Sequence, residues 1–336
     1  MSRIDDALIL SGRKPLTLPT PLADIKAERV EWLWRNRIPR KAVTVLAGMG
    51  GLGKSQLSLA IAAEATRGEL TPDPLNVLVL TAEDPLAAVV RPRAELAGAN
   101  LERLFVVEDD IIELPNDAAR LRWYVEKYNV GVLILDPLQA FIGAETNSHK
   151  DADIRRNVLR PLRDLAEQTN TAILPIMHFK KGDESDVLYR VSGSVGFGNA
   201  ARSALAVVRD PLGQDPDARV LAHIKSNFGR EQPALRFRIE GAGDAGLSRV
   251  VFGSEDPLLT QEALFPRGRP GPAPTKRDEA TQFIREVLAG GPVKAREIMD
   301  EAAEADISWD TIKQAKRRLG VESEQERDGW VWRLPG

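Results

Sequence analysis

From position 42 the chain alternates short apolar runs with stretches that keep a helical period. Ala42-Val43-Thr44-Val45-Leu46-Ala47 reads as a buried strand, and Leu57, Ala60, Ile61 and Glu64 behind it follow helical spacing. Further strands are predicted at Val77 to Leu80, Phe105 to Val107, Val132 to Leu135, Ala172 to Met177, Leu205 to Val208, Val220 to Ile224 and Leu235 to Ile239. Strands separated by helical patterns predict an α/β fold with a central, mainly parallel sheet. The last three strands are separated by turns alone, which predicts an antiparallel extension. Residues before 42 are polar and proline-punctuated as far as Glu31-Trp32-Leu33-Trp34, whose rings either pack as a lead-in to the first strand or stack on a base.

The pattern breaks at Phe265-Pro266-Arg267-Gly268-Arg269-Pro270-Gly271-Pro272-Ala273-Pro274, a linker that spans on the order of 30 Å if extended. Helical periods resume from about Arg277 to Leu288, Val293 to Glu304 and Trp309 to Leu319, the last with Ser308 before it as N-cap and Gly320 after it as C-cap. A short hairpin around Asp328-Gly329, with Trp330-Val331-Trp332, closes the chain. Three helices followed by a hairpin predict a small C-terminal winged-helix domain. The expected division is an N-terminal segment over 1–27, the α/β domain over 28–253, a Pro/Gly-rich linker over 254–275 and the winged helix-turn-helix over 276–336.

Between the first strand and its helix stands Gly48-Met49-Gly50-Gly51-Leu52-Gly53-Lys54-Ser55, the phosphate loop G-x-x-x-x-G-K-[ST]. Its glycines let backbone N–H groups turn inward at a helix N-terminus, Lys54 reaches the β- and γ-phosphates, and Ser55 offers a hydroxyl to Mg²⁺. Gly48, Met49, Gly50, Gly51, Leu52, Gly53, Lys54, Ser55 and Gln56 are therefore the expected binding residues for ATP with Mg²⁺.

Ligands gather outside the carboxyl ends of parallel strands. Val132 to Leu135 followed by Asp136 is the four-apolar-then-acid pattern of a Walker B strand, which places Asp136 to hold Mg²⁺ directly or through water; the alternative is an Asp that caps the turn before Pro137. In Thr81-Ala82-Glu83-Asp84-Pro85, Pro85 suits the first position of a helix and Asp84 its N-cap. Glu83 is then left to polarise an attacking water as general base. His178 ends its strand where a γ-phosphate would lie, either as a sensor of that phosphate or as an ordinary hydrogen-bonded histidine. His149, in a polar run, is expected to be solvated.

Beyond His178, Lys180, Lys181 and Arg190 lie in a partly basic loop that suits a nucleic-acid backbone or plain solvation equally. Arg202, Lys225 and Arg230 are too far along the chain to belong to its own P-loop, and one of them is expected to complete a neighbour's site. On the helix from Trp309, the residues Ile312, Ala315 and Leu319 form an inward stripe, while Lys313, Lys316 and Arg317, joined by Arg318, form a cationic face that suits DNA phosphates. The helix before it carries Glu297, Asp300, Glu301 and Glu304. The hairpin carries Glu322, Glu324, Glu326 and Asp328, so this domain alone is expected to bind duplex weakly and with steep salt dependence. Docking on a protein is the other use for it. Trp330 and Trp332 are expected in the core.

Composition narrows the classes. At 336 residues, 43% apolar and 28% charged, the chain has room for about two domains. Apolar runs are of strand length and Met1-Ser2-Arg3-Ile4-Asp5-Asp6 is no signal peptide, so no membrane span is expected and the cytoplasm is the default compartment. The absence of cysteine rules out disulfides and thiolate metal sites, and three scattered histidines disfavour structural zinc. A net charge of −3 gives no general attraction to nucleic acid, which leaves local basic patches to do that work.

Taken in order, Leu46-Ala47-Gly48 through Ser55, Thr81-Ala82-Glu83-Asp84-Pro85, Leu135-Asp136-Pro137-Leu138, Met177-His178, Gly193-Ser194 through Asn199-Ala200-Ala201-Arg202 and Lys225-Ser226-Asn227 resemble the RepA-like branch of RecA/DnaB-type ATPases over roughly residues 28 to 253. That family includes hexameric plasmid replicative helicases and AAA-family proteins of phages and mobile elements. The resemblance implies a RecA-like core and Mg-ATP hydrolysis between subunits of a homo-oligomeric ring, with a hexamer expected. It implies Glu83 as catalytic base, His178 as γ-phosphate sensor, Arg202 as the trans finger with Lys225 as the competing choice, and single-stranded DNA in a central channel near Lys180, Lys181 and Arg190. Duplex DNA or a replication protein is the expected partner of the winged helix. The sequence departs from the family at Gln56, where relatives carry Thr, at Asn227, where DnaB-type rings place a second cation, and in its appended domain, which small plasmid helicases lack. A DNA helicase or translocase is the expectation, and an ATP-switch regulator or loader is the alternative.

Overall fold

The computed structural model describes residues 19–108, 112–147, 151–179, 187, 201–211, 213, 215–242, 247–265, 276–289, 291–305, 307–326 and 329–334. The chain divides into two compact units, Met1–Pro266 and Arg267–Gly336.

In the first unit the order is β1 (Trp32–Trp34), β2 (Ile38–Pro39), β3 (Ala42–Gly48), α1 (Lys54–Arg67), β4 (Asn76–Thr81), α2 (Arg91–Leu96), β5 (Leu104–Val106), α3 (Ala118–Lys127), β6 (Val130–Asp136), α4 (Arg160–Thr169), β7 (Ala172–His178), β8 (Ser203–Arg209), β9 (Ala218–Ser226), β10 (Ala234–Ala242), β11 (Leu247–Asp256) and the short α5 (Gln261–Leu264). Single π-helical turns, Leu86–Val90 and Arg155–Leu159, lead into α2 and α4.

The central sheet runs β11-β10-β9-β8-β3-β7-β6-β4-β5. From β8 to β5 every neighbouring pair is parallel, and β9, β10 and β11 add on antiparallel. Strands β3 and β6 are buried along their whole length, which explains their unbroken apolar runs: helices or hairpins cover both faces. One apolar layer joins Val45, Leu133 and Ile173 to Leu121 of α3 and Leu162 of α4. The other joins Leu46, Ile134 and Leu174 to Leu57 and Ile61 of α1 and reaches Phe237 of β10.

Three local expectations change. The turn-linked strand at Leu205 is parallel to β3, with Leu46 opposite Leu205, so the antiparallel extension begins only at β9. It also gains a strand that the sequence pattern did not single out, β11. Asp84 does not cap the helix after Pro85: the N-cap position is Pro85, without a side-chain bond, and Asp84 instead pairs with Arg93 of α2 at 2.7 Å. Finally, part of the expected linker is ordered chain, because α5 follows β11 and Leu259 and Phe265 are buried against the first unit.

The second unit holds α6 (Lys276–Leu288), β12 (Val293–Lys294), α7 (Ala295–Glu304), α8 (Trp309–Leu319), β13 (Glu322–Glu326) and β14 (Gly329–Arg333). Val293 and Lys294, expected to open a helix, form β-pairs with Trp332 and Val331, so the helix starts at Ala295. The Ser308 hydroxyl accepts from the Thr311 N–H and Gly320 ends α8 in a left-handed conformation, as the sequence predicts. Ile284, Leu288, Ile298, Ile312, Ala315, Val321 and Trp332 make the core. Trp330, expected inside, is 52% exposed, because it lies toward the open end of the hairpin, whereas Trp332 is covered by Trp309. No helix of the described residues is long and apolar enough to cross a membrane.

Candidate functional site

The carboxyl ends of β3, β7, β6 and β4 lie side by side and carry, in that spatial order, the P-loop, His178, Asp136 and the Thr81–Glu83 turn. The register is explicit: Gly48 is opposite His178, and Thr81 is opposite Asp136. The Ala82 N–H donates to the Asp136 carbonyl at 3.1 Å and the Phe179 N–H to the Gly48 carbonyl at 3.1 Å, which ties the turns to one another.

The P-loop is shaped by glycine. Gly51 and Gly53 sit at φ +73° and +81°, a left-handed conformation that costs L side chains about 1–2 kcal/mol. A Cβ on Gly48 would come 2.6 Å from the Val207 carbonyl oxygen, and one on Gly53 would come 2.2 Å from Cδ1 of Ile239. So β8 and β10 crowd the loop from one side, while the acids and His178 stand on the other. The Gln56 amide donates to the Ser248 hydroxyl at 2.9 Å, which fastens α1 to β11. Neither Ile239 nor Ser248 was singled out from the sequence; the β-rich run Leu247 to Phe252 was the available signal.

Lys54 is only 5% exposed, and its Nζ donates to the Met49 carbonyl at 2.9 Å and lies 3.3 Å from Nδ1 of His178. Burial pulls its pKa below the ordinary lysine value, with Asp136 and Glu83 pulling it back up. Asp136 is 9% exposed, and burial pushes its carboxyl up to about 6. The Ser55 side-chain hydrogen bond and the Lys54 charge oppose that rise, and the charges of Asp84 and Glu83 add to it. Burial first, and the Lys54 charge second, hold His178 below the usual histidine value. Glu83 is exposed, yet its charge is felt at Lys54, Asp136 and His178 alike.

These residues fit a triphosphate with Mg²⁺. A desolvated carboxylate bonded to the P-loop hydroxyl and flanked by two more acids lacks positive charge, and Lys54 rests on a carbonyl where a phosphate would satisfy it better. Among the described residues no group of three or more His, Cys, Asp or Glu converges as an all-protein metal cage, so Ser55 and Asp136 would hold Mg²⁺ together with substrate oxygens. Asp136 does not cap the following turn, whose N-cap is Pro137 without a side-chain bond.

Other expected residues lie elsewhere. Arg202 and Lys225 are at the opposite, amino end of the parallel strands. The Arg202 N–H donates to Val43, Ala204 pairs with Lys225, and burial with the Arg202 charge lowers the Lys225 pKa. Arg230 is exposed beyond the end of β9. Lys180, Lys181, Arg190 and His149 lie outside the described residues. In the second unit, Lys313 pairs with Asp310 at 3.2 Å, and Arg317 and Arg318 are exposed. Lys316 is a correction: its Nζ sits 4.2 Å over the Trp332 ring, drawn inward by the aromatic face instead of standing free on the cationic face.

A likeness to solved structures extends over the first unit's length. A structure whose title describes an ATPase domain matches with 12% identity over 62% of this chain and 85% of that one, at a TM-score of 0.48. The structure titled "Crystal structure of the RadB recombinase" matches with 19% identity over 60% and 89%, at 0.44. No curated protein matches. The family model described as AAA domain matches residues 13–184, just over half of the chain, and takes in the P-loop, Glu83, Asp136 and His178. The chain therefore belongs to the AAA domain family of P-loop ATPases.

Proposed function

We propose that this protein is a Mg²⁺-dependent, RecA-like ATPase that assembles as a ring, a hexamer by resemblance, and moves along single-stranded DNA with ATP hydrolysed between subunits. The observation that carries this reading is the separation of charged groups within one chain. Lys54, Ser55, Asp136 and His178 converge at the carboxyl ends of the strands, whereas Arg202 and Lys225 project from the amino ends. From Val43, which Arg202 contacts, to Gly48 is about 16 Å along β3. That is farther than an arginine side chain extends, so these cations are suited to the site of a second copy.

Each residue then has a role. The P-loop amides and Lys54 bind and orient the phosphates; Ser55 and Asp136 hold Mg²⁺, which supplies positive charge to those phosphates when bound. Glu83, exposed beside the site, takes the proton of the attacking water. His178, neutral at pH 7, offers a hydrogen bond that depends on the γ-phosphate being there. Arg202 of a neighbouring copy, with Lys225 beside it, stabilises the charge that develops; such a finger is typically worth about 10³ to 10⁵ in rate. The second unit has the element order of a winged helix, with α8 as its DNA-facing helix.

One observation favours the rival reading, an ATP switch that loads or regulates a partner. The cations of α8 are partly engaged within their own unit, Lys313 with Asp310 and Lys316 with Trp332, which leaves less for duplex DNA. Hydrolysis measured with and without DNA, together with strand displacement on a forked duplex, separates the two. DNA-stimulated hydrolysis with displacement is expected. Stimulation without displacement over a range of salt and fork polarity transfers the assignment to the switch.

A further inference from the structure

We propose that the notch between α8 and the β13–β14 hairpin seats an unpaired nucleotide at a DNA end, taking its base and phosphate together. This rests on the DNA-directed reading above for the class of ligand. The notch encloses about 520 Å³ and is lined by Trp309, Trp332, Lys313, Lys316, Arg317 and Glu322, among others.

An aromatic wall and a group of cations share this small volume. Trp309 stacks on Trp332 with ring centres 5.3 Å apart and planes 19° from parallel. Trp332 is buried and serves the core, but Trp309 is only half-buried and faces the notch. Lys313 and Arg317, one helical turn apart on α8, are exposed at the rim, and Lys316 lies against the Trp332 ring. A ring packed beside Trp309 with a phosphate at the rim uses both features, and a nucleotide supplies that pair of groups. Stacking of this kind is indifferent to base identity, because every base has a π-face.

The acids decide for an end over a continuous duplex. Glu322 lines the notch, and Glu324, paired with Arg333, follows on β13. A phosphate tract passing the notch would run along these carboxylates, whereas a strand end brings one or two phosphates to Lys313 and Arg317 and stops. Paired bases are also covered on both faces by their neighbours, while an unpaired terminal base has a face to give. An acidic peptide would bring its carboxylates to the same glutamates with no ring for Trp309.

Binding of the full-length protein at fixed ionic strength tests this, with three labelled DNAs of equal duplex length: a dumbbell closed at both ends, a blunt duplex and a duplex with a short overhang. The overhang is expected to bind about tenfold more tightly than the dumbbell. Trp309→Leu should erase that preference while leaving dumbbell affinity unchanged, Trp309→Phe should retain it, and Lys313→Glu with Arg317→Glu should remove it without touching the core. Equal affinity for all three DNAs overturns the notch and leaves DNA binding standing; so does a preference that survives Trp309→Leu, since a single-strand site on the first unit would then account for it. Tighter binding of a Glu/Tyr peptide than of the overhang overturns it in favour of a protein ligand. Failure to bind any DNA overturns both the notch and the reading it rests on.

Discussion

The Lys54 ammonium and the His178 imidazole meet at 3.3 Å, Nζ to Nδ1, beside the register pair that joins Gly48 of β3 to His178 of β7. Lysine can only donate, so Nδ1 accepts and the ring proton is on Nε2. The contact also keeps both groups from gaining charge: burial and the Lys54 charge hold His178 neutral, and burial lowers Lys54. His178→Leu is expected to lower kcat for ATP hydrolysis about a hundredfold with little change in KM, since the histidine's hydrogen bond matters most as charge develops. His178→Gln, which keeps an acceptor for Lys54, should lose less. A rise in KM at unchanged kcat would make the residue a mere support for Lys54.

Glu83→Gln should still bind ATP, as read by calorimetry, while hydrolysis falls by about 10² to 10⁴. Its amide keeps the size of the carboxylate and gives up the capacity to accept a proton. Lys54→Ala is the contrasting variant and should lose tight nucleotide binding itself. Normal turnover in Glu83→Gln would move the base to another group, with Asp84 excluded from first consideration by its 2.7 Å pair with Arg93.

The site was more legible in the sequence than the fold around it, for a physical reason. P-loop, Walker B acid and strand-end histidine are set by local rules: glycines where the backbone must curl, an acid directly after a buried strand, a strand followed by a helix. Those rules need no knowledge of which strands are neighbours. By contrast, β8 lies parallel to β3 although a turn follows it, because sheet partners are chosen by packing over the whole domain. The fate of Asp84 could not be read either: a good N-cap residue was captured by Arg93, nine positions away on the next helix. Lys316 looked like a phosphate contact by residue type, and only the position of Trp332 shows that an aromatic ring engages it.

Two glycines of the P-loop should fail in different ways. Gly48→Ala drives a Cβ to 2.6 Å from a backbone carbonyl of β8, which cannot move without disturbing the sheet, and should destabilise the first unit by about 1–3 kcal/mol. Gly53→Ala meets the end of a flexible side chain, Cδ1 of Ile239, in addition to its strained φ of +81°. Adding Ile239→Ala should therefore recover part of the melting temperature lost by Gly53→Ala and none of that lost by Gly48→Ala. Equal recovery in both would mean that the β10 contact is not what confines the loop.

Arg202→Ala and Lys54→Ala should each abolish hydrolysis alone, yet mixing the two proteins should restore part of it. In a mixed ring some interfaces join the intact P-loop of an Arg202→Ala subunit to the intact Arg202 of a Lys54→Ala subunit. Interfaces that lack the arginine stay silent, so recovered activity should rise and fall with the mixing ratio. Unimpaired hydrolysis by Arg202→Ala alone would shift the finger to Lys225 or Arg230, where the same mixing experiment applies.

Far from the P-loop, at the amino end of the sheet, His223 gives a prediction in pH. The Gln232 N–H donates to its Nδ1 at 3.0 Å, so Nε2–H donates to the Ser203 hydroxyl, also at 3.0 Å, and that hydroxyl donates to the Arg37 carbonyl at 2.6 Å. A second ring proton would face the Gln232 N–H head on. Burial, with the Arg37 charge behind it and a backbone bond at Lys225 opposing, pushes the His223 pKa down to about 4, against 6.5 for an ordinary histidine. Above pH 6.5 neither folded nor unfolded chain protonates this ring, and its neutral hydrogen bonds contribute in full. Between 6.5 and 4 the unfolded chain takes up a proton that the folded chain refuses, so stability falls with falling pH, by about 3 kcal/mol in total from this one group. His223→Gln should be less stable than wild type at about pH 7.5, having lost a fitted ring, but its urea midpoint should decline less steeply from pH 6.5 to 4, the difference in slope corresponding to about one proton. Parallel declines in the two proteins would show that His223 is protonated in the folded state and that the chain from Gln232 to Arg37 is held some other way.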